Sequence, residues 1–307
     1  MKDNIFITGS SGYIGNHLVK FFLKKKFKVY GCDLNINKKD DNFLKSDFSS
    51  DRVVKFIKSK KINNIIHLAA LTEIKNNKRY SNNCKKINFF KSKIFLKKIK
   101  KKKIFIKNFI FSSSAAVYGK TKNLRVKENH ITKPISVYGS SKLNFEKYLI
   151  FKKQNYLNNI FICRFFNVIG GDLLKIKNKK SLFNYLNKSI KKKKVFYING
   201  KNYNTPDGTT VRDFIDINIL SKFILLLIKK KKFNQIKIFN VGSGFGTSIL
   251  EILNELEKKN FKIKFSFRKR KRGDIPFSIS DNTQMMKKLN IKKENFKIIN
   301  NIKKFFK

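Results

Sequence analysis

Short apolar runs alternate with longer helical patterns through the first half of the chain. The short runs are rich in β-branched and aromatic residues, which favours strands, whereas the longer stretches repeat apolar residues at helical spacing. Strands and helices in this order are typical of βαβ units, in which helices cover both faces of a parallel sheet. We therefore predict an α/β fold with a doubly wound parallel sheet. The pattern predicts strands at Asn4–Thr8, Lys28–Cys32, Asn64–Leu68, Asn108–Ser112 and Ile160–Arg164, and helices at Tyr13–Lys25, about Ser81–Lys101 and Tyr138–Lys153.

The chain carries 72 basic and 19 acidic residues, which leaves a formal net charge of +53. Lysines displace counterions from phosphate backbones, so this charge would suit a nucleic-acid partner. The composition favours another explanation, because Lys, Asn, Ile and Phe, which have A/T-rich codons, are abundant throughout. Lysine runs also fall where predicted elements end in solvent, and no recognisable nucleic-acid-binding module accompanies them. We expect no functional nucleic-acid partner.

Hydrophobic residues make up 41% of the chain, which provides for a core and excludes a wholly disordered protein. No apolar run is long enough for a transmembrane helix, so no membrane partner is expected. Cys32, Cys84 and Cys163 are odd in number and far apart. This argues against a disulfide framework and against a zinc site, and it favours a cytoplasmic location. No histidine spacing predicts a metal ligand set.

A glycine-rich turn follows the first predicted strand and opens the first predicted helix, in the order Thr8-Gly9-Ser10-Ser11-Gly12-Tyr13-Ile14-Gly15. Gly9 allows a tight turn, Gly12 lets the backbone approach a pyrophosphate, and Gly15 permits close packing of helix and strand. Asp33 ends the second predicted strand, where a carboxylate bonds ribose hydroxyls and repels a 2′-phosphate. The turn therefore predicts a Rossmann-type domain that binds NAD rather than NADP.

Beyond Gly170-Gly171 the alternation of strands and helices loosens, and glycine-containing loops become more frequent. We predict that residues 1–171 form the NAD-binding Rossmann domain, with a return segment near residues 212–245. Residues 172–211 and 246–307 are predicted to form a smaller, C-terminal substrate-binding lobe.

Tyr138 and Lys142 are four residues apart, so they share one face of a predicted helix. A tyrosine normally titrates near pH ~10, but a nearby cation favours the phenolate. Since general bases work best with a pKa near the operating pH, the pair suits proton transfer. The same spacing also occurs on solvated helix faces. It gains weight from the serines Ser112–Ser114, which end a predicted strand where doubly wound sheets bind ligands.

Together these motifs resemble the extended short-chain dehydrogenase/reductase family and, within it, the nucleotide-sugar epimerases of the galactose pathway. The resemblance extends from Ile5 to about Ile291. The Asp-Glu pair that related dehydratases carry is replaced here by Ser113-Ser114, which disfavours the elimination of water. The resemblance rests on the segments Thr8–Gly15, His67–Ala70, Ser112–Gly119, Tyr138–Lys142, Arg164–Asn167 with Gly170, Tyr203–Thr209, Val211–Phe214, Phe239–Gly244 and Arg272–Pro276.

The resemblance implies an NAD-dependent interconversion of UDP-galactose and UDP-glucose through a 4-keto sugar. The hypothesis that UDP-N-acetylhexosamines are further substrates comes from a departure, Ser278 in place of a bulky tyrosine. Tyr138 would be the base, Lys142 would bind the nicotinamide ribose and lower the Tyr138 pKa, and Ser114 would bond the sugar oxygen. The implied cofactor contacts are Gly9, Gly12, Tyr13, Ile14, Gly15, Asp33, Asp47, Phe48, Leu68, Ala69, Ala70, Asn88, Ser112, Tyr138, Lys142 and Phe166. The implied substrate contacts are Ser114, Tyr138, Asn167, Arg212, Lys271, Asp274 and Ser278.

At some of these positions the sequence allows either a binding role or a structural role. At others the residue differs from the one that is usual in the family. Asp47 could reach the adenine or be a solvated turn carboxylate, and the Phe166 ring could belong to the core. Thr72 stands where the epimerases commonly carry a cofactor-binding lysine. The remaining departures are Lys271 in place of a phosphate-binding arginine, which Arg270 or Arg272 could replace, Ser181 in place of a substrate-binding asparagine, and Ser278 in place of a bulky tyrosine.

The alternatives belong to different classes. One is another nucleotide-sugar epimerase, such as one that acts on UDP-glucuronate. The other is a catalytically idle Rossmann protein that senses NAD or a sugar nucleotide, or that associates with RNA. A homodimer is also implied, through the helices predicted near Ser81–Lys101 and Tyr138–Lys153, although lysines on that face would repel each other across a two-fold axis.

Overall fold

The computed structural model describes residues 3–36, 40–72, 77–121, 124–151, 155–171, 181–230, 235–271, 273–289 and 296–306. The chain divides into two compact units. The first unit comprises Met1–Gly119, Ile131–Arg164 and Ser221–Phe239, and the second comprises Lys120–His130, Phe165–Leu220 and Asn240–Lys307. The domain bounds predicted from the motifs follow the expected cofactor-binding and substrate-binding segments, not the compactness of the chain. They therefore stay a prediction.

The strands within the described residues are β1 Asn4–Thr8, β2 Lys28–Asp33, β3 Phe43–Lys45, β4 Asn64–His67, β5 Ile106–Ser114, β6 Arg125–Val126, β7 Leu157–Phe165, β8 Asn167–Ile169, β9 Phe196–Asn199, β10 Val211–Asp216, β11 Gln235–Val241, β12 Gly246–Ser248, β13 Phe265–Arg268 and β14 Phe277–Ser280. The α-helices of the same residues are α1 Tyr13–Lys24, α2 Asp51–Ser59, α3 Lys78–Lys85, α4 Ser92–Lys101, α5 Val137–Phe151, α6 Leu182–Lys191, α7 Ile217–Ile228, α8 Ile249–Glu257 and α9 Thr283–Leu289.

A seven-stranded sheet organises the first unit, in the order β11-β7-β5-β4-β1-β2-β3. The pairs β1–β2, β1–β4, β2–β3 and β4–β5 are all parallel. The chain proceeds outward from β1 to β3 on one side and then returns to β4 and β5 on the other. In doubly wound sheets ligands bind at this point of reversal, beyond the carboxyl ends of the strands. The predicted Rossmann-type α/β fold is confirmed.

The core of this unit lies where the central strands are covered by helices. All four residues of β4 are buried, as expected for a strand with helices on both faces. The helix faces that pack there carry Val53, Val54 and Ile57 of α2 and Phe95, Leu96 and Ile99 of α4. Burial of these apolar side chains is the main favourable contribution to folding.

The helix predicted near Ser81–Lys101 is interrupted by a π-helical turn. It begins as α3, where the Asn77 side chain accepts a hydrogen bond from the Tyr80 amide and caps the first turn. It continues through the π-helical residues Lys86–Lys91 and ends as α4. Such turns shift the register of a helix by one residue and often mark functional positions. Apolar periodicity alone does not reveal them.

Several helices end on a lysine in the left-handed backbone region, a position that usually requires glycine. At the end of α4, Lys103 has φ +52°, its amide donates to the Lys100 carbonyl, and the next amide, of Ile104, donates to the Ile99 carbonyl. This is the hydrogen-bond pattern of the Schellman motif. The same closure occurs after α1, α2, α6 and α8, with positive φ at Lys26, Lys61, Lys193 and Asn260.

The second unit contains two smaller sheets. One has the order β12-β10-β14-β6, with β8 also paired to β10, and the other pairs β13 with β9. Ile249, Ile252, Leu253 and Leu256 form the buried face of α8. A 3₁₀ helix at Ile299–Phe305 follows near the end of the chain. Within the described residues, no helix is long and apolar enough to cross a membrane.

Candidate active site

The glycine turn of the first unit forms a tight cradle at the amino end of α1. Gly9 has φ +72°, and its amide donates to the Cys32 carbonyl at 2.8 Å, which fixes the turn against β2. A Cβ atom on Gly15 would lie 2.1 Å from the Gly9 carbonyl oxygen, so only glycine allows the helix to approach this closely. No side chain caps the first turn of α1 at Gly12. The amino end of α1 thus has no side-chain cap in the place where helices of this kind bind an anion.

Asp33 lies beside this cradle at the end of β2. Its carboxylate accepts hydrogen bonds from the backbone amides of Ser11 at 3.1 Å and Asn35 at 3.0 Å. The buried Ser10 hydroxyl in the same turn has no hydrogen-bond partner among the described residues. A glycine cradle, an uncapped helix end and an adjacent carboxylate fit a dinucleotide, with its pyrophosphate at the helix and its ribose near Asp33.

Asp47 and Phe48 are both engaged with other parts of the protein. Lys91 donates to the Asp47 carboxylate, and so do the amide and hydroxyl of Ser49. Burial alone would raise the pKa of Asp47, but these hydrogen bonds and the lysine charge hold it below its usual value. The Phe48 ring packs against His67 with 5.0 Å between the ring centroids. This leaves the Phe48 backbone for a cofactor contact.

The segment Leu68–Ala70 lies next to the glycine turn. The amides of Leu68 and Ala69 both donate to the Thr8 hydroxyl oxygen at 3.1 Å, which ties the end of β4 to the end of β1. A Cβ atom on Gly9 would lie only 3.0 Å from the Ala69 backbone. These predicted cofactor residues therefore surround the point where the strand order reverses.

Tyr138, Lys142 and Ser114, the predicted catalytic residues, come together between the end of β5 and α5. The Ser114 hydroxyl hydrogen-bonds the Tyr138 phenol and also accepts from the Ala116 amide. Lys142 is 2% exposed, and its Nζ donates to the Ser112 carbonyl at 2.7 Å. The same Nζ lies 5.8 Å from the centroid of the Tyr138 ring. A phenol, a hydroxyl and an ammonium group thus converge at the carboxyl edge of the sheet.

Burial dominates the ionisation of this group. It raises the pKa of Tyr138 to about 12, against a smaller lowering by the Ser114 hydrogen bond and a further increase from Cys84. It lowers the pKa of Lys142 to about 7, although Cys84 and Glu146 act in the opposite direction. The expected lowering of the Tyr138 pKa by Lys142 is therefore not found in the protein alone. The reason is that a phenolate at this half-buried position loses much of its solvation, while the lysine donates its short hydrogen bond to a carbonyl.

Asn88, a predicted cofactor residue, is held by the protein itself. It lies in the π-helical turn, where its side-chain oxygen accepts from the Leu71 amide at 2.7 Å and its Nδ2 lies 3.0 Å from the Leu71 carbonyl oxygen. Its Nδ2 is also 3.1 Å from the Ser141 hydroxyl, which itself donates to the Tyr138 carbonyl. The π-helical turn thus places Asn88 where it links the segment after β4 to α5.

A buried ionic network next to the catalytic group is not predicted from the sequence. Glu146 accepts from Arg164 Nε and Nη2, and from the Ser113 hydroxyl. Arg164 also donates from Nη1 to the Tyr118 hydroxyl at 2.9 Å. The sequence contains a signal for it, because Glu146 continues the four-residue spacing of Tyr138 and Lys142 as a carboxylate among apolar positions.

In the second unit, Arg212 and Asp274 meet as an ion pair. Arg212 Nη1 also donates to the carbonyls of Val211 and Pro276. The exposed residue Asn167 donates from Nδ2 to the Asp213 carbonyl at 3.0 Å. The fork of Arg212 is therefore partly used within the protein, and a bound phosphate would have to share it with the Asp274 carboxylate.

Asp213 organises the strand that carries Arg212. Its buried carboxylate accepts from the amides of Ser243, Gly244 and Ser280 and from the hydroxyls of both serines. Burial raises the pKa of Asp213 against the lowering by these hydrogen bonds. The residue anchors β10 to β14 and to the loop before β12.

The remaining positions predicted to contact the substrate, or to replace such a contact, differ in burial and in their hydrogen bonds. Ser278 is half-buried on β14 and is paired in register with Arg212, whereas Lys271 is exposed. Ser181 caps α6, because its hydroxyl accepts from the Asn184 amide at 3.2 Å. Phe166 is buried, and its amide donates to the Val241 carbonyl at 3.0 Å. Arg270 donates to Asn202 and stacks on the Tyr203 ring, and Arg272 lies outside the described residues.

Dinucleotide-binding folds of this kind support many different reactions, so the class of enzyme must be inferred from the residues of the site, not from the fold. A tyrosine–lysine pair beside a dinucleotide cradle indicates an enzyme that oxidises and reduces a bound alcohol. The particular family follows from sequence comparison, in which the model of the NAD dependent epimerase/dehydratase family matches residues 5–242. The chain belongs to this family, which confirms the resemblance that its motifs indicated.

Individual relatives are similar over nearly their whole length. A UDP-glucose 4-epimerase of Dictyostelium discoideum is 29% identical, over 94% of this chain and 91% of the relative. The crystal structure of UDP-glucose 4-epimerase from Bifidobacterium longum in complex with NAD⁺ and UDP superposes with a TM-score of 0.82 at 26% identity, and 95% of each chain is covered. The UDP-Glc/GlcNAc 4-epimerase from Campylobacter jejuni gives a TM-score of 0.74 at 26% identity, with 93% and 92% covered.

Proposed function

We propose that the chain interconverts UDP-galactose and UDP-glucose and uses NAD as its cofactor. The observation that carries the proposal is the convergence of the Ser114 hydroxyl, the Tyr138 phenol and the Lys142 ammonium group beside a glycine cradle that fits a dinucleotide. The relatives named as UDP-glucose 4-epimerases support the substrate class, since their similarity covers almost the whole chain.

In this proposal Tyr138 would remove the proton from the sugar 4-hydroxyl as C4 loses a hydride. It would return the proton to the same oxygen when the hydride comes back to C4 on the opposite face of the ring. Ser114 bonds the same oxygen and holds it within reach of the phenol. Bound NAD supplies the chemistry of accepting and returning the hydride, and its positive ring favours the phenolate. Lys142 would contribute a positive charge near Tyr138, and it would hold the nicotinamide ribose of the bound cofactor.

Substrate binding is assigned to the second unit. Arg212 would bind the diphosphate, and Asn167 would contact the nucleotide sugar from β8. Lys271 keeps a positive charge but not the bidentate fork of an arginine, so we expect a weaker hold on phosphate at this position. Asp274 would act through Arg212, because the two side chains are already paired.

Ser278 supports a wider sugar specificity. It is a small, half-buried residue on β14, in register with Arg212, and a serine there would obstruct a bulky substituent on the sugar less than a tyrosine. We therefore extend the proposal to UDP-N-acetylhexosamines, a substrate class that is also part of the name of the Campylobacter jejuni relative. The homodimer and the cytoplasmic location stay predictions. The three cysteines, which are buried and free, agree with the latter.

The experiment incubates the purified chain with UDP-galactose without added NAD, and with UDP-N-acetylgalactosamine and UDP-glucuronate in parallel. We expect UDP-glucose to form, because the cofactor is regenerated in each cycle and stays bound. Tyr138→Phe should lower kcat by about 10²–10⁴-fold, the usual contribution of a general base, and should keep NAD. Product formation is followed by chromatography of the nucleotide sugars.

Tyr148→Phe is the matched control, since it removes a phenol from the same helix outside the catalytic cluster. It should leave kcat unchanged. Turnover of UDP-glucuronate alone would mean that the substrate is wrongly assigned. Near-full activity of Tyr138→Phe would mean that the base is wrongly assigned.

A further inference from the structure

A buried ion pair lies beside the candidate catalytic residues, and the mechanism proposed above assigns it no task. Glu146 lies one helical turn beyond Lys142 on α5, and Arg164 lies on β7. Arg164 Nη2 donates to the Glu146 carboxylate at 2.7 Å, and the two side chains are only 4% and 1% exposed. Burying two charges is costly, and a buried pair is often no more stabilising than apolar residues of the same volume. Stability alone therefore does not account for it.

The position of Glu146 completes a stripe on α5. Tyr138, Lys142 and Glu146 are four residues apart and so lie on one face of the helix. Each bonds a different residue of the strand end Ser112–Ser114. Tyr138 bonds the hydroxyl of the last serine, Lys142 the carbonyl of the first, and Glu146 the hydroxyl of the middle one. The stripe and the strand end are thus joined at three successive points.

The middle serine differs from its neighbours in its surroundings. Ser113 is 1% exposed, whereas the serines on either side are half-exposed. This follows from the alternation of side chains along a strand. Ser113 therefore has no direct access to a ligand, and the side-chain bond from its hydroxyl goes to Glu146.

We propose that Glu146 is a positioning residue that, held by Arg164, fixes the strand end Ser112–Ser114 against α5 so that Ser114, Tyr138 and Lys142 keep their mutual geometry. This inference rests on the function proposed above. It also assigns Glu146 an electrostatic effect, because its negative charge favours the ammonium form of Lys142.

The charged and titratable groups around Lys142 support this second effect. Tyr138 and Glu146 lie on its own helix, Cys84 on α3 and His67 on β4. Burial lowers the pKa of Lys142 to about 7, while Cys84 and Glu146 raise it. His67 adds no charge at neutral pH, because burial and the lysine lower its pKa to about 3. Glu146 is thus the carboxylate that opposes the loss of the ammonium form.

The first test is Ser113→Ala, which removes the hydroxyl bond to Glu146 and leaves the ion pair intact. Because small displacements of reacting groups are expensive in rate, we expect kcat with UDP-galactose to fall about tenfold. KM and NAD affinity should stay within about twofold, since Ser113 contacts neither ligand in the proposed mechanism. A variant with wild-type kcat would overturn the positioning role.

The second test is Glu146→Gln, which keeps the shape of the side chain and removes its charge. Without that charge Lys142 should lose its proton at lower pH, so the alkaline limb of the kcat–pH profile should move down by about one pH unit, a common size for the effect of one nearby charge. Glu146→Asp keeps the charge but shortens the side chain. It should lower kcat and leave the profile in place. A folded Glu146→Gln variant with the wild-type profile would overturn the electrostatic effect.

Tyr118→Phe is the control for a purely structural effect. It removes the hydroxyl that accepts from Arg164, in the same network, and leaves the groups that join the strand end Ser112–Ser114 to α5 unchanged. It should reduce thermal stability but change neither kcat nor the pH profile. If wild-type protein does not epimerise UDP-galactose, the proposed function fails. If the wild type is active and both Ser113→Ala and Glu146→Gln behave like it, this inference alone fails.

Discussion

The ring of His67 is enclosed at the end of β4 by two hydroxyls and by aromatic side chains. Its Nδ1 lies 2.8 Å from the Thr8 hydroxyl and its Nε2 lies 2.9 Å from the Ser92 hydroxyl. Phe95 and Phe111 stack on it at centroid distances of 5.8 Å and 6.0 Å. Burial, followed by the charge of Lys142, lowers the pKa of His67 to about 3. The residue is a neutral part of the core, not an acid of the mechanism.

This burial makes the stability of the protein depend on pH. An unfolded histidine titrates near ~6.5, so between about pH 6.5 and 3 the unfolded state binds a proton that the folded state does not. The stabilisation is complete above about pH 6.5 and is lost as the pH falls toward 3, by several kcal/mol in total. Urea unfolding at a series of pH values should show this loss.

The variant His67→Gln provides the comparison, because it cannot titrate in this range. It should be less stable than the wild type at pH 7, and the difference should shrink as the pH falls. Parallel stability curves for the two proteins would mean that the pKa of His67 is the same in the folded and unfolded states, which would contradict its lowering by burial.

At the same scale, the sequence predicts the candidate site only in part. Tyr138 and Lys142 are visible because helical spacing brings them together, and the serines because they end a strand. The hydrogen bond between Glu146 and Ser113 is not predicted, because it depends on which side chain of a strand points toward a helix, and a run of three serines does not reveal this. The catalytic roles of Tyr138 and Lys142 and the positioning role of Glu146 stay proposals.

At the scale of elements, the left-handed lysines at helix ends are a source of strain. Residues with a Cβ atom lose about 1–2 kcal/mol in this backbone region relative to their usual conformation. Glycine has no such penalty but has more conformational freedom to lose on folding. The two effects oppose each other, and the first is larger.

Lys103→Gly should therefore raise the free energy of unfolding by about 0.5–1 kcal/mol, as the removal of left-handed strain exceeds the entropy of glycine. Lys102→Gly is the matched control, because Lys102 has φ −85° and gains nothing from glycine. It should lower the free energy of unfolding. Urea denaturation measures both, and a Lys103→Gly variant less stable than the wild type would contradict the strain argument.

The elements themselves were predictable where the pattern is long. Apolar runs locate β1, β2, β4, β5 and β7, although β5 extends to Ser114 and β7 to Phe165. The two- and three-residue strands β6, β8 and β12 are too short to carry an alternating pattern. The π-helical turn is not predicted either, because a shift of one residue in the apolar pattern can equally be read as the end of one helix and the start of another.

At the scale of the whole molecule, the charge of +53 sets the response to salt. A compact chain with this excess of positive charge is destabilised by self-repulsion. Lysine runs end several helices, as predicted, with α4 finishing at Lys101 and α6 at Lys191. Such positions favour each helix end but crowd like charges on the surface.

The melting temperature should therefore rise between about 10 mM and 100 mM NaCl, over which the screening length falls from roughly 30 Å to 10 Å. Sucrose at matched osmolarity is the control for effects that do not involve charge. Thermal unfolding followed by circular dichroism measures both series. A melting temperature that is independent of salt would mean that the lysines are neutralised within the fold.

Because lysines occupy left-handed positions at helix ends, glycine is not needed for that role at those positions of the chain. Where other proteins would place glycine for a favourable turn, this chain accepts a strained lysine at four helix ends within its described residues. The glycines of the first turn, Gly9 and Gly15, are of another kind, because a methyl group on either would press into neighbouring backbone. In so biased a composition, a subset of the glycines marks the places where two stretches of backbone come within touching distance, namely Gly9, Gly15, Gly119, Gly139 and Gly208.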